Sequence, residues 1–259
     1  LYGSLIALLV KGGGAQAFGD WVTRYVKGKR GSLMWTWALG LVIFLDDYLN
    51  SLTVSSSMKN VTDKYRTSRE MLAYVVDSTA APICLIIPIS TWAVYFAGLM
   101  EKNGVAPQGQ GIDIFIQAIP YMFYPWVAVL IVPLVILGVI PLVGRMKAAE
   151  LRAETTGQVI PPGSENIQMD DTYEGDGREQ GGLSLFFLPI AALIFFTVWF
   201  DIDVLMGVMA GILITLVQYF SKGVLKPAEM FDTLLDGLKV MVPVLTILVS
   251  VFIFIEANN

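Results

Sequence analysis

Six mostly apolar stretches, 33–57, 70–99, 117–143, 183–200, 204–220 and 234–255, set the fold class before any motif is considered. A bilayer-crossing helix needs roughly 20 such residues, and each stretch reaches that range. Composition agrees, since 55% of the 259 residues are hydrophobic and 15% charged, too apolar for one soluble core. The expected fold is an all-α polytopic membrane protein. Residues 1–32 read as the end of a membrane segment, LYGSLIALLV, followed by a basic cytoplasmic segment. A start at Leu1 with no basic region before the apolar run predicts a piece of a longer chain rather than a signal peptide.

Absences narrow the chemistry. The sequence has no histidine, which excludes histidine relays, histidine metal sites and Ser-His or Cys-His nucleophiles from this stretch. Its one cysteine, Cys84, sits in an apolar run and reads as a small buried hydrophobe. The net charge of −5 comes largely from the 145–182 segment, which holds Glu150, Glu154, Glu165, Asp170, Asp171, Glu174, Asp176 and Glu179 and is expected to be a flexible cytoplasmic loop. With no basic cluster to meet it, a nucleic-acid partner is not expected, and neither a cofactor nor an enzymatic activity is implied.

Lys and Arg in short loops mark the cytoplasmic side of a bacterial inner membrane. Lys59, Lys64, Arg66 and Arg69 place 58–69 inside, and the alternation continues through Arg145, Lys147 and Arg152 to Lys222 and Lys226. Arg24, Lys27, Lys29 and Arg30 break the pattern, because 33–57 is then flanked by basic clusters at both ends. A re-entrant helical hairpin over 33–57, turning near Asp46-Asp47-Tyr48-Leu49-Asn50-Ser51, resolves the conflict. In 70–99, Pro82 lacks an N–H and disfavours helix at Ala81, so this transmembrane helix is expected to be interrupted there, just after Asp77-Ser78-Thr79. One transmembrane helix is expected over 117–143 and three over 183–255.

A hairpin tip beside a broken helix is how transporters build ion sites near the bilayer midplane. Asp46, Asp47 and Asp77 lie in segments without Lys or Arg. A carboxylate held in low dielectric must bind a cation, pair with a base or take up a proton. If Na⁺ and H⁺ compete for one carboxylate, and its bare form is too costly to move, the site is an exchanger. Hydroxyls and amides from Asn50, Ser51, Thr53, Ser55, Ser56, Ser57, Ser78 and Thr79, with carbonyls of unwound backbone, supply hard oxygen ligands, with Na⁺ expected at Asp47 and Asp77. Plainer readings stand beside these. Asp46 or Asp47 can simply cap the second hairpin arm, Asp77-Ser78-Thr79 can cap a helix resuming near Pro82, and Ser55 to Ser57 can be packing groups between helices.

Phe44-Leu45-Asp46-Asp47-Tyr48, Val54 through Met58, Val61 through Lys64, Ser68-Arg69-Glu70, Ala73 through Pro82 and Ile89-Ser90-Thr91-Trp92 together resemble the NhaC-type Na⁺/H⁺ antiporters of the ion transporter superfamily. The resemblance covers roughly residues 10 to 100; beyond about 117 only hydropathy agrees. It implies two inverted repeats, each with a hairpin and an interrupted helix, a homodimer, and a second repeat largely outside this sequence. Where members often carry Gly-Asn-Thr, this chain has Ser55-Ser56-Ser57, which puts that tip's amide ligand in question.

Relatives of the same fold exchange malate, lactate or amino acids. An anionic cargo wants a midplane Arg or Lys, and the hairpin and interrupted helix have none. An aspartyl intramembrane protease is disfavoured because Ala17-Phe18-Gly19-Asp20 departs from Gly-x-Gly-Asp and precedes the first apolar stretch. A membrane scaffold leaves unpaired carboxylates without a purpose.

Overall fold

The computed structural model describes residues 1–164, 182–200 and 203–257, and every regular element among them is helical. The elements are α1 (Tyr2–Lys11), α2 (Gly14–Thr23), α3 (Lys29–Val42), α4 (Asp47–Lys64), α5 (Arg69–Ile86), α6 (Thr91–Lys102), α7 (Gly111–Ala118), α8 (Phe123–Leu137), α9 (Gly144–Thr156), α10 (Ser184–Trp199), α11 (Val204–Lys222), α12 (Pro227–Val240) and α13 (Val242–Ala257). Of these, α11 is by itself long and apolar enough to cross a membrane. Two bent pairs qualify if each counts as one span: α5 with α6, bent by 49°, and residues 111–121 with α8, bent by 53°.

The core is built around α4, where Leu49, Val54, Met58 and Val61 pack with Leu5 and Leu9 of α1, Phe18 and Val22 of α2, and Phe186 of α10. Small residues let two helix pairs approach closely. At the α1–α12 crossing a Cβ on Gly3 would lie 2.2 Å from the Gly237 carbonyl oxygen, and Ser4 Oγ donates to Leu234 O at 2.8 Å. At the α10–α11 crossing a Cβ on Gly207 would lie 1.8 Å from Thr197 Oγ1.

The outer ends of α3 and α4 lie side by side. Tyr65, just past α4, donates its hydroxyl to Val26 O, just before α3, at 2.9 Å. Arg66, in the left-handed region at φ 52°, turns the chain, and Thr67 N–H returns to Thr62 O at 3.1 Å. The pair is therefore a helical hairpin. Its turn falls at 43–46, its second arm runs on to Lys64 rather than ending at 57, and its first arm starts at Lys29 rather than 33.

Four sequence expectations are corrected. The interruption in 70–99 lies at 87–90, not at Ala81, because α5 carries Pro82 within it and stops where Pro88 removes the next N–H. Asp77, Ser78 and Thr79 are consequently mid-helix and cap nothing. The 117–143 stretch is not one helix, since a 3-10 turn at Ile119–Tyr121 and Met122 separate α7 from α8, which ends at Leu137 with Gly138 left-handed at φ 81°. The 183–255 region holds four helices rather than three, with Met241 dividing α12 from α13.

The fourth correction concerns the acidic loop. Its first part is α9, docked on the basic end of the hairpin. Glu150, 5% exposed, pairs with Lys29 of α3 and accepts from Ser68 N–H at the start of α5 at 2.8 Å. Arg152 binds Glu70 through both oxygens at 3.0 and 2.9 Å, and Arg66 Nη1 reaches Glu154 O at 3.3 Å. The sequence predicts a flexible loop with no basic cluster to meet it, whereas Lys29 pairs with Glu150 and Glu154. The remainder of that loop expectation, at 165–181, lies outside the described residues.

Candidate functional site at two helix breaks

Asp46 stands where α3 and α4 part. Its backbone is extended at φ −151°, ψ 140°, and Oδ1 accepts from Leu49 N–H at 3.0 Å, making it the N-cap of α4. Asp47 is the acidic residue of the first turn, a position the helix dipole favours. Of the readings left open by sequence, capping by one of the two carboxylates holds, and Asp46 is the one.

The second break has a local cause. Pro88 cannot donate to Cys84 O, four residues back; Ser90 Oγ donates to that carbonyl instead and accepts from Ala93 N–H at 3.1 Å, so one hydroxyl ends α5 and caps α6. The two breaks then bind each other. Thr91 N–H donates to Leu45 O at 2.9 Å, and Thr91 Oγ1 donates to Asp46 Oδ2 at 3.2 Å. Asp46, 9% exposed, thus accepts from Leu49 N–H on Oδ1 and from Thr91 Oγ1 on Oδ2.

Asn50 closes the hairpin turn. Its Nδ2 donates to Gly40 O and Ile43 O, both at 2.7 Å, holding the last turn of α3 against the first of α4. Thr79 meets this point from α5: a Cβ on Gly40 would lie 3.0 Å from Thr79 Cγ2 and 3.6 Å from Asn50 Oδ1. Tyr2, whose buried hydroxyl has no hydrogen-bond partner among the described residues, and Cys84 lie within electrostatic reach of both Asp46 and Asp47.

The expected ligands divide by helix geometry. Asp46, Asp47, Asn50 and Thr79 are brought to the breaks. Asp77 is not: α5 is continuous, and at about 100° per residue two positions turn its exposed carboxylate away from the side on which Thr79 meets α3 and α4. Ser78 is half-buried between them. The pairing of Asp47 with Asp77 around Na⁺ presumed a helix unwound at Pro82, and α5 is not unwound there. Ser51, Ser55 and Ser56 are half-buried on the flanks of α4, with Ser55 bonded to Leu52 O at 3.2 Å. Among the described residues no group of three His, Cys, Asp or Glu side chains can hold a metal ion. Sequence reasoning passed over Thr91, although Pro88 followed by Ser90 is itself a helix-stop and N-cap signal.

Fold and site together define an all-α protein with at least one helix able to cross a membrane and two helix breaks joined through a buried carboxylate. An uncharacterized protein of Haemophilus influenzae is 31% identical over 202 residues, covering 76% of this chain and 36% of that protein. The chain thus spans well under half of that relative. No family model matches the sequence, and no solved structure does.

Proposed function

We propose that this chain is part of a multi-pass inner-membrane secondary transporter exchanging Na⁺ for H⁺, and that Asp46 is the carboxylate for which the two ions compete. The observation that carries the reading is the junction of two interrupted helices at a buried acid, Asp46 to Thr91 and Leu45 to Thr91. Irregular backbone at membrane depth is tolerated where protein buries it or water lines it, and such breaks are where transporters hold coupling ions.

The membrane setting has its own support. Large apolar side chains face outward on α8, α10, α11 and α13, among them Leu130, Phe195, Leu213 and Phe252 at 56–67% exposed, a surface that suits lipid or further protein. Both ends of the α3–α4 hairpin gather at α9 with Lys29, Arg66 and Arg69, as a re-entrant element entered from the cytoplasm requires. With 18 residues at 1.5 Å each, α4 reaches about 27 Å from that basic end, against a hydrocarbon core of about 30 Å. An upright hairpin therefore carries Asp46 past the midplane toward the far leaflet.

In the exchange step a proton leaves Asp46 as Na⁺ takes its place on the carboxylate oxygens, while Thr91 and Leu49 N–H hold the group in position. The test is proton flux in everted vesicles bearing the intact protein, adding NaCl, then KCl, then sodium malate with lactate. Collapse of the pH gradient by Na⁺ alone is expected. Flux only with the organic anions present makes the protein a substrate exchanger on the same scaffold.

A further inference from the structure

The α4 face that begins at Asp46 continues as a buried polar stripe. Asn50, Thr53 and Ser57 follow at helical spacing and are 0%, 2% and 3% exposed. Along it, two atoms lack what buried polar atoms nearly always have. Asn50 Oδ1 and Thr53 Oγ1 are shielded from solvent and have no hydrogen-bond partner among the described residues.

Neither gap is a matter of reach. The Asn50 amide cannot turn, because its nitrogen is committed to Gly40 O and Ile43 O, so the oxygen points where no protein donor stands. Among the other buried helical threonines Thr197 of α10 has no partner among the described residues, but Thr36, Thr62, Thr79 and Thr215 each donate to the carbonyl four residues back at 2.7–3.0 Å. Thr53 does not. The next hydroxyl, Ser57 Oγ, donates to Thr53 O at 2.6 Å and makes no bond to Thr53 Oγ1. Two buried side-chain oxygens one turn apart are thus left without a partner among the described residues.

We propose that Asn50 Oδ1 and Thr53 Oγ1 form a second, inner station for a small, partly dehydrated alkali cation on the hairpin, distinct from Asp46. This rests on the exchange reading above for its place in a transport cycle, though not for the binding itself. At 1.5 Å per residue the station lies about 6–10 Å along α4 from Asp46 toward the basic end, closer to the membrane centre in that reading. Gly40 packs beside it, where a Cβ would lie 3.0 Å from Thr79 Cγ2 and 3.6 Å from Asn50 Oδ1. Neutral, hard oxygens without a carboxylate suit a cation in passage rather than one held for long, with water completing its shell. A cation leaving Asp46 toward the cytoplasm then meets oxygen ligands before the apolar packing of Val54 and Met58.

The test uses the purified intact protein, titrating its thermal unfolding with NaCl against choline chloride at constant ionic strength, for wild type, Thr53→Val and Thr53→Ser. Na⁺ is expected to stabilise wild type, Thr53→Val to need about tenfold more Na⁺ for the same shift, as loss of one ligand worth about 1.4 kcal/mol predicts, and Thr53→Ser to restore it. If Thr53→Val does not fold, Thr53→Ala carries the comparison. An unchanged Na⁺ dependence in the variant, or no Na⁺ stabilisation of wild type, overturns the station. A purely structural hydroxyl predicts the first of these results, with Thr53→Val as stable as wild type or more so. Proton flux separates the two ideas: Na⁺-driven flux with unaltered Na⁺ dependence in Thr53→Val keeps exchange and removes the station, whereas tenfold weaker binding without wild-type flux keeps the station and removes exchange.

Discussion

Asp46 and Thr91, 45 residues apart, join the two helix breaks of this protein, with Thr91 Oγ1 donating to Asp46 Oδ2 at 3.2 Å. The same Asp46 caps α4 and the same Thr91 opens α6, so one hydrogen bond ties the two breaks together. In the proposed exchange, a cation or proton arriving at Asp46 would alter the bond to Thr91 at the start of α6.

The second break is expected to depend on Ser90 and not on Pro82. Ser90→Ala strands Cys84 O and Ala93 N–H in a buried setting and should destabilise the protein by about 1–3 kcal/mol. Pro82→Ala restores a donor to Ser78 O inside a helix that already continues, and should leave stability equal or higher. Thermal unfolding in detergent compares the two; a Pro82→Ala protein less stable than Ser90→Ala contradicts this placement.

Much of this was legible in the sequence, and the failures have particular causes. The hairpin followed from basic residues at both its ends, since charge position survives folding unchanged. The capping role of an aspartate at the turn was readable from Asp46 itself, because N-capping is local chemistry. The break in the second element was misplaced because Pro82 and Pro88 both interrupt N–H donation, and only tertiary packing decides which the helix tolerates: α5 absorbs Pro82 against its neighbours, while Ser90 and Leu45 stand ready to satisfy the ends exposed at Pro88. Asp77 was drawn into the site by that same error. The docking of α9 depends on contacts 82 residues apart, Glu150 with Ser68 and Arg152 with Glu70, which no local pattern reveals.

The α9 clasp should be the point where the basic end of the hairpin loosens. Glu150→Ala leaves Ser68 N–H without its acceptor and Lys29 with only the exposed Glu154, so a loss of about 1–3 kcal/mol is expected. Glu150→Gln keeps an acceptor for Ser68 and should lose less. Limited trypsin digestion at Lys147 and Arg152 reads the clasp directly, with cleavage fastest in the alanine variant; equal rates in all three proteins contradict it.

The proposed re-entry of the hairpin makes a topological prediction. With Cys84 replaced by alanine, cysteines introduced at Lys27 and at Asn60, one beside each end of the α3–α4 pair, should both react with an impermeant maleimide only from the cytoplasmic side of the membrane. Labelling from opposite sides makes the pair a crossing element despite the Tyr65–Val26 contact.

The measurement closest to the central claim compares wild type with Asp46→Asn and Asp46→Ser in the intact protein, recording Na⁺-driven proton flux in everted vesicles beside thermal stability. Asparagine and serine cap helices about as well as aspartate, so both variants should insert and unfold within about 0.5 kcal/mol of wild type while Na⁺-driven flux is abolished. Stable variants that still exchange Na⁺ for H⁺ at the wild-type rate would show Asp46 to be a cap and nothing more.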